Sequence, residues 1–525
     1  MLNCDEEPPN VSKVVHLVKD KREEINNFVL GEELGTETTP RCGGCRCGKC
    51  PIAGHTYLFT EEQELNVIRE NLEYDEPNQR WITSYRWIVE PKSLPDNYNT
   101  ALATLEKTER TLLKDELWAN TYKQQMEDMV HREVARPLTA MKLQEWSGPV
   151  FYISHLAVLN PKSNSTPVRI VFNSSQAYKG VSLNSCLAKG PDRYMNNLIG
   201  NLLRWREEAV ALVGDIRKMF NSVYLKELEK HCHRFLWRDL EVHRPPDVYV
   251  MERVNMGDTP APAISTEAIY KMADRFENES PEAAKLLKKS SYVDDLIDSK
   301  PSQSDAIQVA KEVEDMLVKG GFSVKCWQLS VERSPRVSLK QEDAHIASAE
   351  ETKALNLLKG TESNLRELGL AWDPEKDFIL YEVTLNFSKK RRGVCMGPDL
   401  KPVHLPKALP EILTKRTVLE QVMKIYDPLG LVCPFTLLAK LYLREVWSRK
   451  LDWDTPLPMD LTKKWIRFFT TLFRLEQLRF PCCLRPKDAI GRPWLVILSD
   501  GSDLAFGYAA YISGGHCKME HFGVD

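Results

Sequence analysis

The sequence predicts an α+β fold over about residues 148–330. From residue 148 the chain contains short β-branched runs separated by turn residues, such as "STPVRIVFNSS" (165–175) and "EEAVALVGDI" (207–216). Segments with a helical pattern alternate with these runs, at 191–206, 224–239, 263–276 and 303–319. Strands and helices mixed in this order are typical of an α+β domain rather than of a bundle or a sandwich.

The regions on either side of this domain have a different predicted secondary structure. Residues 1–40 are polar and mostly helical in pattern, and two further helices are predicted at 61–75 and 98–135. Residues 335–450 are predicted to be mostly helical, with a short β interruption near "LGLAWDPEKDFILYEVTL". The stretch 492–515 predicts a β-hairpin, which cannot bury a core by itself. We therefore expect the chain to be a fragment of a longer polyprotein or a truncated gene model.

Composition limits the class of protein. The 525 residues suffice for about three or four domains, and 42% hydrophobic content with 12 tryptophans predicts packed cores. A net charge of −3 gives no global sign of a nucleic-acid partner, so a polyanion site would depend on local clusters such as "SKKRRG" (388–393). No run of about 18 apolar residues predicts a membrane span. The 13 cysteines without a secretory signal favour an intracellular protein, in the cytoplasm or the nucleus.

A pair of adjacent aspartates, Asp294 and Asp295, lies within the strand-like stretch "SSYVDDLIDS". A second apolar strand, "AVALVGDI", ends near Asp215, and Phe220 follows five residues later. If the pair forms a hairpin turn beside that strand, three carboxylates converge and repel each other. Two Mg²⁺ ions would relieve the repulsion, because oxygen-only ligands favour a hard cation. The alternative is that these aspartates are ordinary turn residues.

Several motifs resemble one family of mobile elements. "YVDD" (292–295) and "VGDIRKMF" (213–220) resemble the catalytic motifs of reverse transcriptases, and "NMGDTPAPA" (255–263) resembles their glycine-bearing substrate segment. "STPVRIVFNSS", "SLNSCLAKGPD", "GGFSVKCW", "LGLAWDPEKD", "YDPLGLVCP" and "PRCGGCRCGKCP" are similar to the Pao branch of the BEL/Pao LTR retrotransposons, in the same order along nearly the whole chain.

The resemblance implies a right-hand polymerase fold with fingers, a ferredoxin-like palm and a helical thumb. It implies an RNA-directed DNA polymerase that uses an RNA template, a DNA primer and dNTPs. The protease and integrase of such polyproteins are not visible in this chain. The implied segments are an N-terminal helical segment with the cysteine box (1–75), a helical lead-in (76–147), fingers and palm (148–335), thumb and connection (336–460) and an incomplete RNase H-like domain (461–525).

By that resemblance, Asp215 and Asp294 would bind both metal ions, and Asp295 would help to hold the cluster. The Phe220 ring would leave no room for a ribose 2′-hydroxyl and would favour deoxynucleotides. The remaining implied roles are a backbone carbonyl ligand at Ile216, triphosphate contacts at Arg169 and Lys162, close backbone approach at Gly257, primer-end packing at Tyr292 and a proton donor at Lys325.

Four cysteines, Cys42, Cys45, Cys47 and Cys50, form the spacing C-x₂-C-x-C-x₂-C. Four thiolates so close in sequence can close a tetrahedral Zn²⁺ site, and a reduced cysteine loop or a redox-active cluster remain the alternatives. At the other end, "LVILSDGSDLAFGYAAY" (495–511) resembles the first RNase H hairpin, with Asp500 as its first metal ligand. RNase H activity is not expected, because the other acidic residues of such a site are not in this chain.

Two other classes of function compete with polymerase activity. The chain could be a truncated or domesticated remnant that binds nucleic acid without turnover. It could also be a zinc-dependent interaction module with an inert remainder, which would require the cysteines to matter and the aspartates not to.

Overall fold

The computed structural model describes residues 59–159, 167–191, 196–330, 365–391, 394–395, 397–405, 407–485 and 489–516. Helices and several small, mainly antiparallel sheets alternate along the chain, so the predicted α+β class is confirmed. In these ranges no helix combines the length and apolarity needed to cross a membrane.

The first described region is mostly helical. Its elements are α1 (Phe59–Asn71), β1 (Leu72–Asp75), β2 (Arg80–Thr83), α2 (Tyr98–Leu112), α3 (Glu116–His131), β3 (Ala135–Pro137) and α4 (Ala140–Glu145). The helix predicted for 61–75 ends at Asn71, because "LEYD" pairs with β2 as a strand. The predicted helix over 98–135 is two helices. The second begins after Asp115, whose side chain accepts the Trp118 amide hydrogen and caps the new helix.

The central region contains the sheet that carries the acidic residues. Its elements are β4 (Ser154–Leu159), β5 (Val168–Asn173), α5 (Leu198–Trp205), β6 (Val210–Ile216), β7 (Val223–Leu225), α6 (Glu227–His231), β8 (Arg234–Trp237), β9 (Asp247–Met251), α7 (Ala261–Phe276), α8 (Pro281–Lys289), β10 (Ser291–Tyr292), β11 (Asp295–Lys300), α9 (Gln303–Val318) and β12 (Val324–Leu329). The helix predicted for 224–239 is wrong over most of its length. Residues Arg234–Trp237 are all buried and pair with β9 as a strand.

Strand β6 is central in an antiparallel sheet of order β10-β11-β6-β12. Its apolar residues are buried on both faces, which explains the continuous hydrophobic run in the sequence. Leu212 and Ile216 point into the main core, together with the helices α7–α9, whereas Ala211 and Val213 point into a second apolar cluster on the opposite face. The remaining sheets of this region have the orders β1-β2-β7, β3-β9-β8 and β4-β5.

The last region begins with strands rather than helices. Its elements are β13 (Leu365–Glu367), β14 (Leu370–Asp373), β15 (Phe378–Leu380), β16 (Lys390–Arg391), β17 (Val394–Cys395), α10 (Lys415–Val422), α11 (Cys433–Ser448), α12 (Met459–Leu472), β18 (Arg479–Pro481), β19 (Ala489–Gly501) and β20 (Phe506–His516). The β interruption predicted near "LGLAWDPEKDFILYEVTL" is confirmed by β14 and β15. The helical part of the prediction for 335–450 holds only from Lys415 in the described residues. The strands β13, β14 and β15 form a sheet with β18, which follows the three helices, and β19 pairs with β20 as the predicted hairpin.

The C-terminal sheet packs against the central sheet. Trp372 of β14 meets Trp205 of α5 edge to face, with ring centroids 5.2 Å apart. Val213 and Ile297 of the central sheet belong to the same buried cluster as Leu370 and Ile379. The face of β6 and β11 that carries Val213 and Ile297 is therefore covered by the C-terminal region.

Candidate active site

Asp215 and Asp295 lie directly opposite each other on neighbouring strands. They are register partners where β6 pairs with β11. Side chains alternate along a strand, so Asp215 lies on the same face as Val213, and Asp295 on the same face as Ile297. Directly paired side chains have Cβ atoms roughly 4.5–5.5 Å apart. Two residues 80 positions apart in sequence are thereby placed side by side, at the edge of the face that the C-terminal region covers.

Asp294 is placed by the turn between β10 and β11. Tyr292 pairs with Asp295, so Val293 and Asp294 form a two-residue turn. Val293 has a φ of +56°, a left-handed conformation that a β-branched residue adopts only at an energetic cost. The turn is held against β6 because the Ile216 amide donates a hydrogen bond of 2.8 Å to the Asp294 carbonyl. The strained turn and this bond place the Asp294 backbone at the end of β6, next to Asp215 and Asp295.

The electrostatics show that the carboxylates repel each other. Burial raises the pKa of Asp294, and the neighbouring Asp215 raises it further. Burial, followed by Asp294 and Asp215, raises the pKa of Asp295 from 3.8 to about 7. The Lys325 ammonium lies 3.4 Å from Asp215 Oδ2, but 62% of the Lys325 side chain is exposed, so solvent screens this pair. The cluster therefore carries negative charge that a bound cation would neutralise.

The donor set fits Mg²⁺ in its chemistry. All three side chains offer oxygen atoms, which a hard divalent cation prefers. Within the part of the chain that the structure describes, no three His, Cys, Asp or Glu side chains are already gathered closely enough to hold a metal ion. Asp215, Asp294 and Asp295 therefore lie in neighbouring backbone positions, and their side chains would have to rotate toward a common ion.

The predicted substrate residues occupy different positions around the sheet. Phe220 follows β6 on the 3₁₀ turn Met219–Ser222, is only 8% exposed and packs in the main core. Tyr292 is half-buried on β10, beside the carboxylates. Arg169 is exposed on β5. A methyl group on Gly257 would lie 2.5 Å from the Phe172 carbonyl oxygen of β5, so only glycine fits there without a shift of the backbone.

Three further predictions lie elsewhere. Lys162 and the box Cys42, Cys45, Cys47 and Cys50 are outside the described residues, so the zinc prediction stays a prediction. Asp500 is exposed on β19, and its Oδ1 accepts a hydrogen bond from the Gly501 amide.

Tyr426 was not singled out from the sequence but lies beside the site. Its ring is 43% exposed and packs on Gly369, where a methyl group would come within 2.8 Å of the ring. Burial, followed by the nearby Tyr292 hydroxyl, raises the pKa of Tyr426. Tyr426 belongs to the Pao-like motif "YDPLGLVCP", but nothing in that sequence indicates that Tyr292 lies nearby. Tyr426 of the C-terminal region therefore lies close enough to Tyr292 of the hairpin for the two hydroxyl groups to interact electrostatically.

Comparison with known proteins supports the family resemblance. Residues 414–521 match the family model of the Pao retrotransposon-like RNaseH-like domain. This match confirms the resemblance to Pao retrotransposons. The match begins within the segment predicted as thumb and connection, so it leaves the boundary between the last two predicted segments open. No curated protein matches the chain.

A solved structure of a foamy viral protease–reverse transcriptase dRH, in complex with double-stranded DNA, is also similar. It is 12% identical, with a TM-score of 0.46, over 76% of this chain and 54% of that chain. This chain thus spans about half the length of the solved one.

Proposed function

We propose that this chain is the RNA-directed DNA polymerase of a Pao-type retrotransposon. The observation that carries the proposal is the pairing of Asp215 with Asp295 across β6 and β11, with Asp294 bonded to the end of β6 through its carbonyl. In this proposal the central sheet is the palm, the region before it supplies the fingers, and the segment after it, up to residue 460, forms the thumb and connection.

The reaction would be attack of a primer 3′-hydroxyl on the α-phosphate of a dNTP, directed by an RNA template. Asp215, Asp294 and Asp295 would hold two Mg²⁺ ions, with the Ile216 carbonyl as a further ligand. When bound, these ions would supply charge neutralisation at the attacking and leaving oxygens. The protein offers no covalent nucleophile for this reaction, so its own contribution is to position groups and to exclude water.

The other residues would bind and orient the substrates. Arg169 has the planar guanidinium that suits phosphate oxygens, with Lys162 as a second contact. Lys325, already beside Asp215, would donate a proton to the leaving pyrophosphate. Phe220, held firmly by the core, would limit the space at the sugar and favour dNTPs, while Gly257 and Tyr292 would lie along the nucleotide and the primer end.

Primer extension on an RNA template with purified protein tests this function. We expect Mg²⁺-dependent dNTP incorporation that falls by about 10²- to 10³-fold in Asp294→Asn. Asp298→Asn is a matched control, because Asp298 lies on β11, which follows the turn of Asp294, and pairs with Lys300 at 3.1 Å. Incorporation by Asp294→Asn equal to that of the parent protein would refute the site. No incorporation by the parent protein, with nucleic-acid binding retained, would favour the non-catalytic remnant.

A further inference from the structure

The loop that carries Gly257 is clamped by an asparagine from another motif. The Asn184 side chain donates to the Gly257 carbonyl at 2.9 Å and to Ser175 Oγ at 2.8 Å, and its Oδ1 accepts the Thr259 amide hydrogen at 2.9 Å. Asn184 itself is fixed because its amide donates to the Ser174 carbonyl. One side chain therefore bonds to the loop on both sides of Asp258 and ties it to the end of β5.

Asp258 holds the same loop from its buried side. Its buried carboxylate accepts hydrogen bonds of 2.6 Å from Tyr85 Oη and from Ser174 Oγ, and it lies 3.1 Å from His233 Nε2. Burial alone would raise the pKa of Asp258, but His233 lowers it below the ordinary value. Burial likewise opposes the charged form of His233, and Asp258 raises the pKa of that imidazole overall. A buried and well-satisfied ion pair of this kind holds one geometry, since breaking it leaves an unpaired charge.

The loop is also joined to the segment that carries Phe220. The Asn221 side chain donates to the Val254 carbonyl at 2.9 Å, and Arg253 donates to the Asn221 carbonyl at 3.0 Å. On its other side the loop lies against β5, where a methyl group on Gly257 would strike the Phe172 carbonyl. Residues 254–259 therefore connect the strand of Arg169 with the turn of Phe220. Met256, at the tip, is 70% exposed.

We propose that Asn184 and Asp258 are positioning residues that hold the 255–259 loop at the nucleotide side of the active site, and so set the distance between the Arg169 strand and the Phe220 turn. The inference rests on the proposed polymerase function. Neither residue touches the carboxylate cluster; each acts through the loop. Asn184 is the better residue to vary, because it is only half-buried, whereas Asp258 is a buried charge whose loss endangers folding.

The test uses two variants of Asn184 and a matched control. Asn184→Ala removes the bonds to Gly257, Ser175 and Thr259, whereas Asn184→Asp keeps an acceptor for the Thr259 amide and loses the donor to Gly257. Asn386→Ala is the control, since Asn386 also bridges backbone and side chains, donating to the Gly397 carbonyl and Asp399, but belongs to the C-terminal region. Each variant is assayed below its unfolding temperature.

In steady-state primer extension, we expect Asn184→Ala to raise the KM for dNTP roughly 3- to 10-fold with a smaller change in kcat, and Asn184→Asp to raise it less. Asn386→Ala should leave the KM unchanged. An unchanged KM in Asn184→Ala, or an equal rise in the control, would overturn the inference.

Hydrogen–deuterium exchange separates this inference from the proposed function. Peptides that cover residues 255–260 should lose protection in Asn184→Ala and keep it in Asn386→Ala, whether or not the protein extends primers. If the parent protein extends no primer, the proposed function fails, and with it the nucleotide role of the loop. Unchanged exchange in Asn184→Ala would then also refute the anchoring.

Discussion

Replacing Asp295 by asparagine should stabilise the metal-free protein at alkaline pH and abolish the proposed polymerase activity. In the parent protein, burial and the carboxylates of Asp294 and Asp215 raise the pKa of Asp295 from 3.8 to about 7. Between about pH 4 and pH 7 the folded protein therefore keeps a proton that the unfolded chain has released. The stability that this proton provides is lost as the pH rises through 7. With a neutral amide at position 295, the protein does not lose this stability as the pH rises.

The size of the expected change in the free energy of unfolding follows from the raised pKa of Asp295. One pKa unit corresponds to about 1.4 kcal/mol, so the two units between pH 5 and pH 7 correspond to about 2.7 kcal/mol. Asp295 is only half-buried, and solvent screens part of its repulsion, so we expect about 1 kcal/mol. The free energy of unfolding of Asp295→Asn, relative to the parent protein, should thus be about 1 kcal/mol more favourable at pH 8 than at pH 5.

Urea unfolding in EDTA at pH 5 and pH 8 measures this difference, with primer extension as the second readout. Asp298→Asn is the control. It removes the ion pair with Lys300, so we expect no gain at pH 8. An advantage of Asp295→Asn that is the same at both pH values would refute the argument, because repulsion between ionised carboxylates must grow as they lose protons. A loss of stability at pH 8 would show that Asp295 is satisfied in the metal-free protein.

Two further outcomes follow from the site. Lys325→Ala should lower kcat for extension, because its ammonium lies beside Asp215 in position to donate the proton to pyrophosphate. An unchanged kcat, with only the Mg²⁺ dependence altered, would remove the proton-donor role. Phe220→Leu, which keeps more of the core than alanine would, should raise the use of rNTP relative to dNTP in single-nucleotide incorporation, and an unchanged ratio would remove the steric role.

The sequence predicts correctly those structural elements whose pattern lies within one short stretch of residues. The apolar run before Asp215 and the β-branched stretch around Asp294 are visible without any partner, and both form strands or a hairpin in the structure. The Asn184 and Asp258 contacts had no such signal. Tyr85 donates a hydrogen bond to Asp258, which is 173 positions away in the sequence. A single polar residue in a turn gives no sequence signal for a partner at that distance. The helix predicted for 224–239 was wrong for a related reason. Burial of Arg234–Trp237 against β9 stabilises a strand there, in spite of the local helical pattern.

The carboxylate site depends on both halves of the described chain. Asp215 and Asp295 share a sheet face with Val213 and Ile297, and those two residues pack with Leu370 and Ile379 of the C-terminal sheet. Without that sheet, the apolar face beside the carboxylates would be exposed to water, and the burial that raises the pKa of Asp295 would decrease. Residues more than 70 positions beyond the Asp294–Asp295 hairpin therefore help to raise the local cost of negative charge, and with it the expected benefit of a bound cation.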